Sequence, residues 1–128
     1  GGEVTFPTAV PPTTAAPPPP PPEATEDVRP PYEKELVRLA EILGSIHYLR
    51  ELCNADEGPL WRDQMNALLQ AEDPQPKWRA YLVQNFNNGY RGFQRTYRQC
   101  TPSATLATKR YMAEGAELTQ TMRTRYAN

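Results

Sequence analysis

Apolar residues recur at spacings of three and four along the chain from Tyr32 onward, which is the period of an amphipathic α-helix. In the first such segment Leu36, Leu39, Leu43 and Ile46 form one stripe, widened by neighbouring apolar positions. Turn-forming residues separate this segment from three others. The pattern predicts helices over residues 32–53, 59–72, 77–99 and from residue 101 onward, of which the second is short and the third long.

No segment alternates apolar and polar residues as a half-buried strand would. Because the connections between the predicted helices are short, sequential antiparallel packing is the simplest arrangement. We therefore predict an all-α fold, an up-down four-helix bundle, over residues 32–128.

Proline dominates the chain before the first helix. Residues 1–31 hold 11 of the 15 prolines, including the unbroken run 17–22. Proline fixes φ and has no amide hydrogen, so this segment is predicted to be a disordered arm with polyproline II character rather than part of a core. It could be a spacer that holds the domain away from an anchor or a dispensable low-complexity tail, and the sequence does not decide between them.

Cys53 and Cys100 each stand where a predicted helix ends. In an up-down bundle the first and third helices are parallel, so their C-terminal ends lie at the same end of the bundle and the two thiols can meet. We predict a disulfide between them. A structural disulfide indicates an oxidising compartment and leaves no free thiol for catalysis.

The sequence contains no run of 18 apolar residues, so it predicts no membrane-spanning helix. No basic segment followed by an apolar segment stands at the amino end, and we expect that a signal peptide has been removed from an exported protein.

Charge is unevenly distributed along the bundle. Residues 32–73 contain nine acids and four bases, whereas residues 74–112 contain seven bases and no acid. Arg91, Arg95 and Arg98 have helical spacing and are predicted to lie on one side of the third helix, beside Tyr90 and Asn88.

This arginine row has two interpretations. It could bind a partner, or it could pair within the bundle with Glu33, Glu41, Glu51 or Asp63. The net charge of −1 and a pI near 5.9 argue against nucleic acid as the partner.

Gly89 and Gly92 lie inside the predicted third helix, where each costs about 1 kcal/mol relative to alanine. One interpretation is that another helix or an aromatic ring approaches the backbone there. The other is that the glycines form the floor of a groove walled by Tyr90, Phe93 and Tyr97.

Familiar catalytic and metal-binding patterns are missing from the sequence. His47 is the only histidine, so the sequence predicts no paired-histidine metal site and no Ser-His-Asp triad, and no cofactor fingerprint is present. We therefore expect no metal and no cofactor. His47 and Glu51, one helical turn apart, are the only candidates for acid–base chemistry, and a packing role is the alternative for His47.

Several motifs in order resemble a family of small exported proteins of unknown function from rhizobia, brucellae and their relatives. They are LAEILGSIHYLRELC at 39–53, WRDQM at 61–65, FNNGYRGF at 86–93, YRQCT at 97–101 and RYMAEG at 110–115. The resemblance covers about residues 35–128. It implies a periplasmic domain that follows a signal peptide and a variable proline-rich spacer, and it suggests by association a role in envelope growth or division complexes.

The sequence therefore favours a non-enzymatic periplasmic interaction module that binds an envelope protein or polymer through Arg91, Arg95, Arg98, Tyr90 and Asn88. The first alternative is a binder of a small ligand or cell-wall fragment in a groove near Gly89 and Gly92. The second is an enzyme that uses His47 and Glu51.

Overall fold

A computed structural model describes residues 27–126 of the chain. These residues form four helices and no strand: α1 (Glu33–Leu52), α2 (Leu60–Glu72), α3 (Pro76–Thr96) and α4 (Pro102–Tyr126). The predicted all-α fold, the number of helices and their order are confirmed. The predicted disordered arm lies almost wholly outside the described residues.

Contacts at the helix ends show that each helix runs antiparallel to the next. The Tyr32 hydroxyl, at the start of α1, donates to Glu72 at the end of α2. Tyr126, at the end of α4, also lies against the start of α1, where its ring is 5.5 Å from that of Tyr32. Tyr90, near the end of α3, bonds to Glu51 near the end of α1, so α1 and α3 are parallel.

Helix α1 is the central element of the bundle, because each of the other three helices packs against it. It consequently has the most continuous buried surface of the four helices. One core cluster joins α1, α2 and α3 and consists of Leu36, Ala40, Met65, Leu69, Trp78, Leu82 and Phe86. Burial of these side chains is the main stabilising contribution to the fold.

The backbones of α1 and α3 approach closely where Gly44 and Gly89 lie. A Cβ added to Gly44 would stand 1.9 Å from the carbonyl oxygen of Phe86. A Cβ added to Gly89 would stand 2.1 Å from the carbonyl oxygen of Glu41. Ser45, also at this contact, is buried and donates its hydroxyl to the Glu41 carbonyl. Small residues are therefore required on both helices.

Packing against the bundle begins before α1. The Arg29 guanidinium lies 4.7 Å from the Trp78 ring centroid and 4.8 Å from that of Tyr81, and it pairs with Asp27 and Glu33. Residues 27–31, which the sequence assigns to the arm, thus already contact α3.

Helix α3 ends earlier than the sequence predicts. Its last residue is Thr96 rather than Gln99, and Tyr97 has extended backbone angles of φ −116° and ψ 117°. The Tyr48 hydroxyl of α1 donates to the Tyr97 carbonyl oxygen, which therefore has a partner outside the helix. Residues 97–101 form the short connection to α4. The hydroxyl of Thr101, its last residue, accepts from the Ala104 amide and caps α4.

Candidate functional site

The predicted disulfide is present. Cys53 and Cys100 are bonded, with their Cα atoms 5.0 Å apart. The disulfide joins the end of α1 to the segment after α3. Together with the bond from Tyr48 to Tyr97, it fixes residues 97–101 at both ends. Arg98 lies between these two attachments.

The three arginines predicted to form one row do not all lie on α3. Arg91 and Arg95 lie on α3, but Arg98 lies beyond the end of the helix. Arg98 therefore does not continue the row on one face of α3. The prediction was wrong for Arg98 because hydrophobic periodicity continues through Tyr97 and Cys100 although the backbone does not remain helical.

Arg91, Arg95 and Arg98 are exposed, and none forms an ion pair with another residue in the range 27–126. Three of the acids considered as their partners have other contacts: Glu33 pairs with Arg29, Glu41 with Arg38, and Glu51 accepts from Tyr90. The interpretation in which the row is neutralised inside the bundle thus finds no support in the described contacts.

Tyr90 points away from these arginines. Its ring packs against His47 and Tyr48 with centroid distances of 5.4 and 5.3 Å, and its hydroxyl donates to Glu51 at 2.6 Å. This hydrogen bond, together with burial, raises the pKa of Tyr90 to about 12. Tyr90 therefore belongs to the contact between α1 and α3.

Asn88 is exposed on the outer side of α3 and lines a shallow depression of about 500 Å³. Arg79 and Arg91 lie at the two ends of this depression, with Val83 and Asn87 between them at successive helical turns. The basic surface therefore also includes Arg79, near the start of α3, which the sequence analysis did not assign to it. We call Arg79, Asn88, Arg91 and Arg95 the basic α3 face.

The prediction of a groove over Gly89 and Gly92 is wrong at Gly89, because the backbone of α1 occupies the space that the groove would need. The close-approach interpretation is confirmed for Gly89 and fails for Gly92, where an added Cβ would meet nothing within 4 Å. Phe93 and Tyr97 stack on each other at 5.6 Å, and Phe93 also contacts Tyr111 of α4 edge-on.

A cleft of about 390 Å³ lies where α1 ends and α2 begins. His47 forms part of its wall and is only 4% exposed. Its Nε2 atom is 3.8 Å from Oε2 of Glu51, which is too far for a hydrogen bond. The two residues do share this cleft with the carboxylates of Asp56 and Glu57.

The loop that closes this cleft has an unusual backbone. Asn54, Asp56 and Gly58 have positive φ values of 53°, 37° and 56°. Glu57 links the loop to both helices, because it pairs with Arg50 of α1 and accepts from the indole nitrogen of Trp61 in α2 at 2.9 Å. These contacts lower the pKa of Glu57. Sequence reasoning recognised a turn here but did not predict the cleft, because its shape depends on backbone angles that composition does not determine.

Two kinds of feature are absent from residues 27–126. No three His, Cys, Asp or Glu side chains are grouped so that they could hold a metal ion. None of the four helices combines the length and apolar character needed to span a membrane.

Comparison with family models matches residues 31–126 to a family described as a protein of unknown function, DUF2385. The chain belongs to the DUF2385 family. The DUF2385 region includes all four helices, the disulfide, the basic α3 face and the cleft. Searches of curated proteins and of solved structures found no match to this DUF2385 protein.

Proposed function

We propose that this DUF2385 protein is an exported, non-enzymatic interaction module that binds an acidic partner through the basic α3 face and Arg98. The observation that carries the proposal is that Arg91, Arg95 and Arg98 are exposed and have no ion-pair partner within residues 27–126. A guanidinium that no internal acid neutralises keeps its full charge toward an approaching molecule and can bind a carboxylate through two hydrogen bonds.

Rigidity supports the same proposal. Arg79, Arg91 and Arg95 project from one 21-residue helix, and Arg98 lies in a segment held by the disulfide and by Tyr48. Charged groups on rigid elements lose less conformational entropy when a partner binds. The depression between Arg79 and Arg91 offers Val83 and two asparagines beside the charges, which suits a protein surface.

The disulfide supports export to an oxidising compartment, which for this chain we place in the periplasm. The partner is accordingly an envelope protein or an acidic envelope polymer, and complexes of envelope growth or division are the setting that the family resemblance suggests.

The experiment compares two charge-reversed proteins in the native host. In the first, Arg91, Arg95 and Arg98 are replaced by glutamate. In the matched control, Lys109, Arg110 and Arg125 on α4 are replaced; they too are exposed, without an ion pair within residues 27–126, and the net charge changes by the same amount. Cross-linked partners are quantified by mass spectrometry, and circular dichroism checks that both variants remain helical.

We expect the α3 variant to lose partners that the wild type and the α4 control both retain, and raised salt to weaken wild-type capture because charge attraction is screened. Retention of the same partners by the α3 variant, or equal loss in the control, would show that the binding surface lies elsewhere.

A further inference from the structure

The cleft between α1 and α2 is lined by a histidine that forms no hydrogen bond to another described residue. The His47 side chain lines the cleft, and only 4% of its surface is exposed. It makes no hydrogen bond to any residue in the range 27–126, and its nearest charged neighbour is Glu51 at 3.8 Å. An imidazole that lines a cleft and has no partner among the described residues can form a hydrogen bond to a molecule in the cleft.

One side of the cleft is negative. The Glu51 side chain is about half exposed, and only its Oε1 atom is engaged, by Tyr90. Glu51 and His47 both line the cleft, and a gap of 3.8 Å separates Oε2 of Glu51 from Nε2 of His47. A ligand ammonium group near this gap could donate to both atoms and would face the carboxylate charge.

The start of α2 contributes positive groups to the cleft, beside Glu57, which accepts from Trp61, and Asp63 in the first turn. Helix α2 begins there after Pro59, which provides no side-chain cap. The amides of Trp61 and Arg62, in the first turn of α2, have no acceptor among the described residues, and the Arg62 side chain lines the cleft without an ion pair inside that range. Free amides at a helix N-terminus together with a guanidinium bind a carboxylate well.

The balance of charge selects the class of ligand. The cleft carries three carboxylates, Glu51, Asp56 and Glu57, and two guanidinium groups, Arg50 and Arg62, of which Glu57 and Arg50 pair with each other. This mixture suits neither a simple anion nor a simple cation. A volume of about 390 Å³ falls within the range of small-molecule sites.

We propose that this cleft binds a small zwitterion, with the ligand ammonium at Glu51 and His47 and the ligand carboxylate at Arg62 and the first turn of α2. A free amino acid and a dipeptide share this chemistry. The site is independent of the basic α3 face, so either proposal can fail without the other.

The test is isothermal titration calorimetry on the full chain with pools of free amino acids and of dipeptides. Whichever compound binds is then tested with its amine acetylated and, separately, with its carboxylate converted to an amide. The two pools distinguish a single amino acid from the two ends of a peptide.

Variants locate the site. Glu51→Gln keeps one acceptor oxygen for Tyr90, removes the charge and replaces the other oxygen by an NH2 donor. Arg62→Gln removes the exposed guanidinium. We expect each to weaken binding about tenfold or more, and each chemical block on the ligand to abolish it. Glu117→Gln and Arg110→Gln, at exposed positions of α4, are the controls. Their affinity for the ligand should stay within about twofold of that of the wild type. Absence of binding to both pools, equal binding of the blocked compounds, or unchanged affinity in the cleft variants would overturn the proposal.

Discussion

Gly89 of α3 packs directly against the backbone of Glu41 on α1, and the contact leaves no room for a side chain. An added Cβ would stand 2.1 Å from the Glu41 carbonyl oxygen and 2.9 Å from the Ser45 hydroxyl. The obstructing atoms at Glu41 are backbone, which cannot rotate away. The close approach of α1 and α3 therefore depends on the absence of a side chain at Gly89, as it does at Gly44.

We predict that Gly89→Ala destabilises the protein by about 3 kcal/mol or more, because the two helices must separate to admit the methyl group. Gly92→Ala is the matched control, since it lies one turn away in the same helix with open space around it. It should be neutral or stabilise by up to about 1 kcal/mol through helix propensity. Urea unfolding followed by circular dichroism measures both, and similar midpoints for the two variants would contradict the close contact.

The disulfide leads to a second prediction. It joins residues 47 apart in sequence, and in the loop-entropy model such a crosslink contributes about 4 kcal/mol. Replacing Cys53 and Cys100 by serine should lower the free energy of unfolding by that amount. This is a large share of the roughly 5–15 kcal/mol by which a domain is typically stable. Thermal unfolding with and without reductant tests this.

The double-serine variant also provides the control for that experiment, because reductant should lower the melting temperature of the wild type and leave the variant unchanged. A wild-type melting temperature that does not move after complete reduction would show that the crosslink does not stabilise the fold.

Much of this architecture could be predicted from the sequence because it depends on local patterns. The stripe of apolar residues gave α1 within one residue at each end, 32–53 against Glu33–Leu52. The cysteine pair followed from the parallel direction of α1 and α3, although Cys100 lies beyond the end of α3 at Thr96. Gly89 was recognisable because glycine inside a helix needs an explanation.

Other features depend on tertiary contacts that no local pattern contains. Gly44 precedes Ser45 in an ordinary amphipathic segment, and only the presence of α3 beside it shows why a side chain is excluded. Helix α3 ends at Thr96 although apolar spacing continues beyond it, and Tyr48 is the partner of the Tyr97 carbonyl there. The cleft required positive φ angles at Asn54 and Asp56, residue types that allow that conformation without requiring it.

The third prediction concerns the contact between α1 and α4 at low pH. Arg38 donates to both carboxylate oxygens of Glu114, with distances of 2.7 Å from Nε and 2.9 Å from Nη2. These hydrogen bonds lower the pKa of Glu114 below its ordinary value of 4.5. A group whose pKa is lowered by folding stabilises the protein above its unfolded pKa, and this contribution is lost as the pH falls through its folded pKa.

We therefore expect the melting temperature to fall as the pH is lowered from 5 toward 3 and to fall less steeply in Glu114→Gln. The effect is small, under about 1 kcal/mol, because the Glu114 side chain is 37% exposed and water screens the pair. Glu57, whose pKa is lowered by Arg50, titrates in both proteins, so a shallower slope remains in the variant. Glu117→Gln, which changes an exposed carboxylate on the same helix, is the control. If it flattens the pH profile as much as Glu114→Gln does, the Arg38–Glu114 pair is not the source of the acid sensitivity.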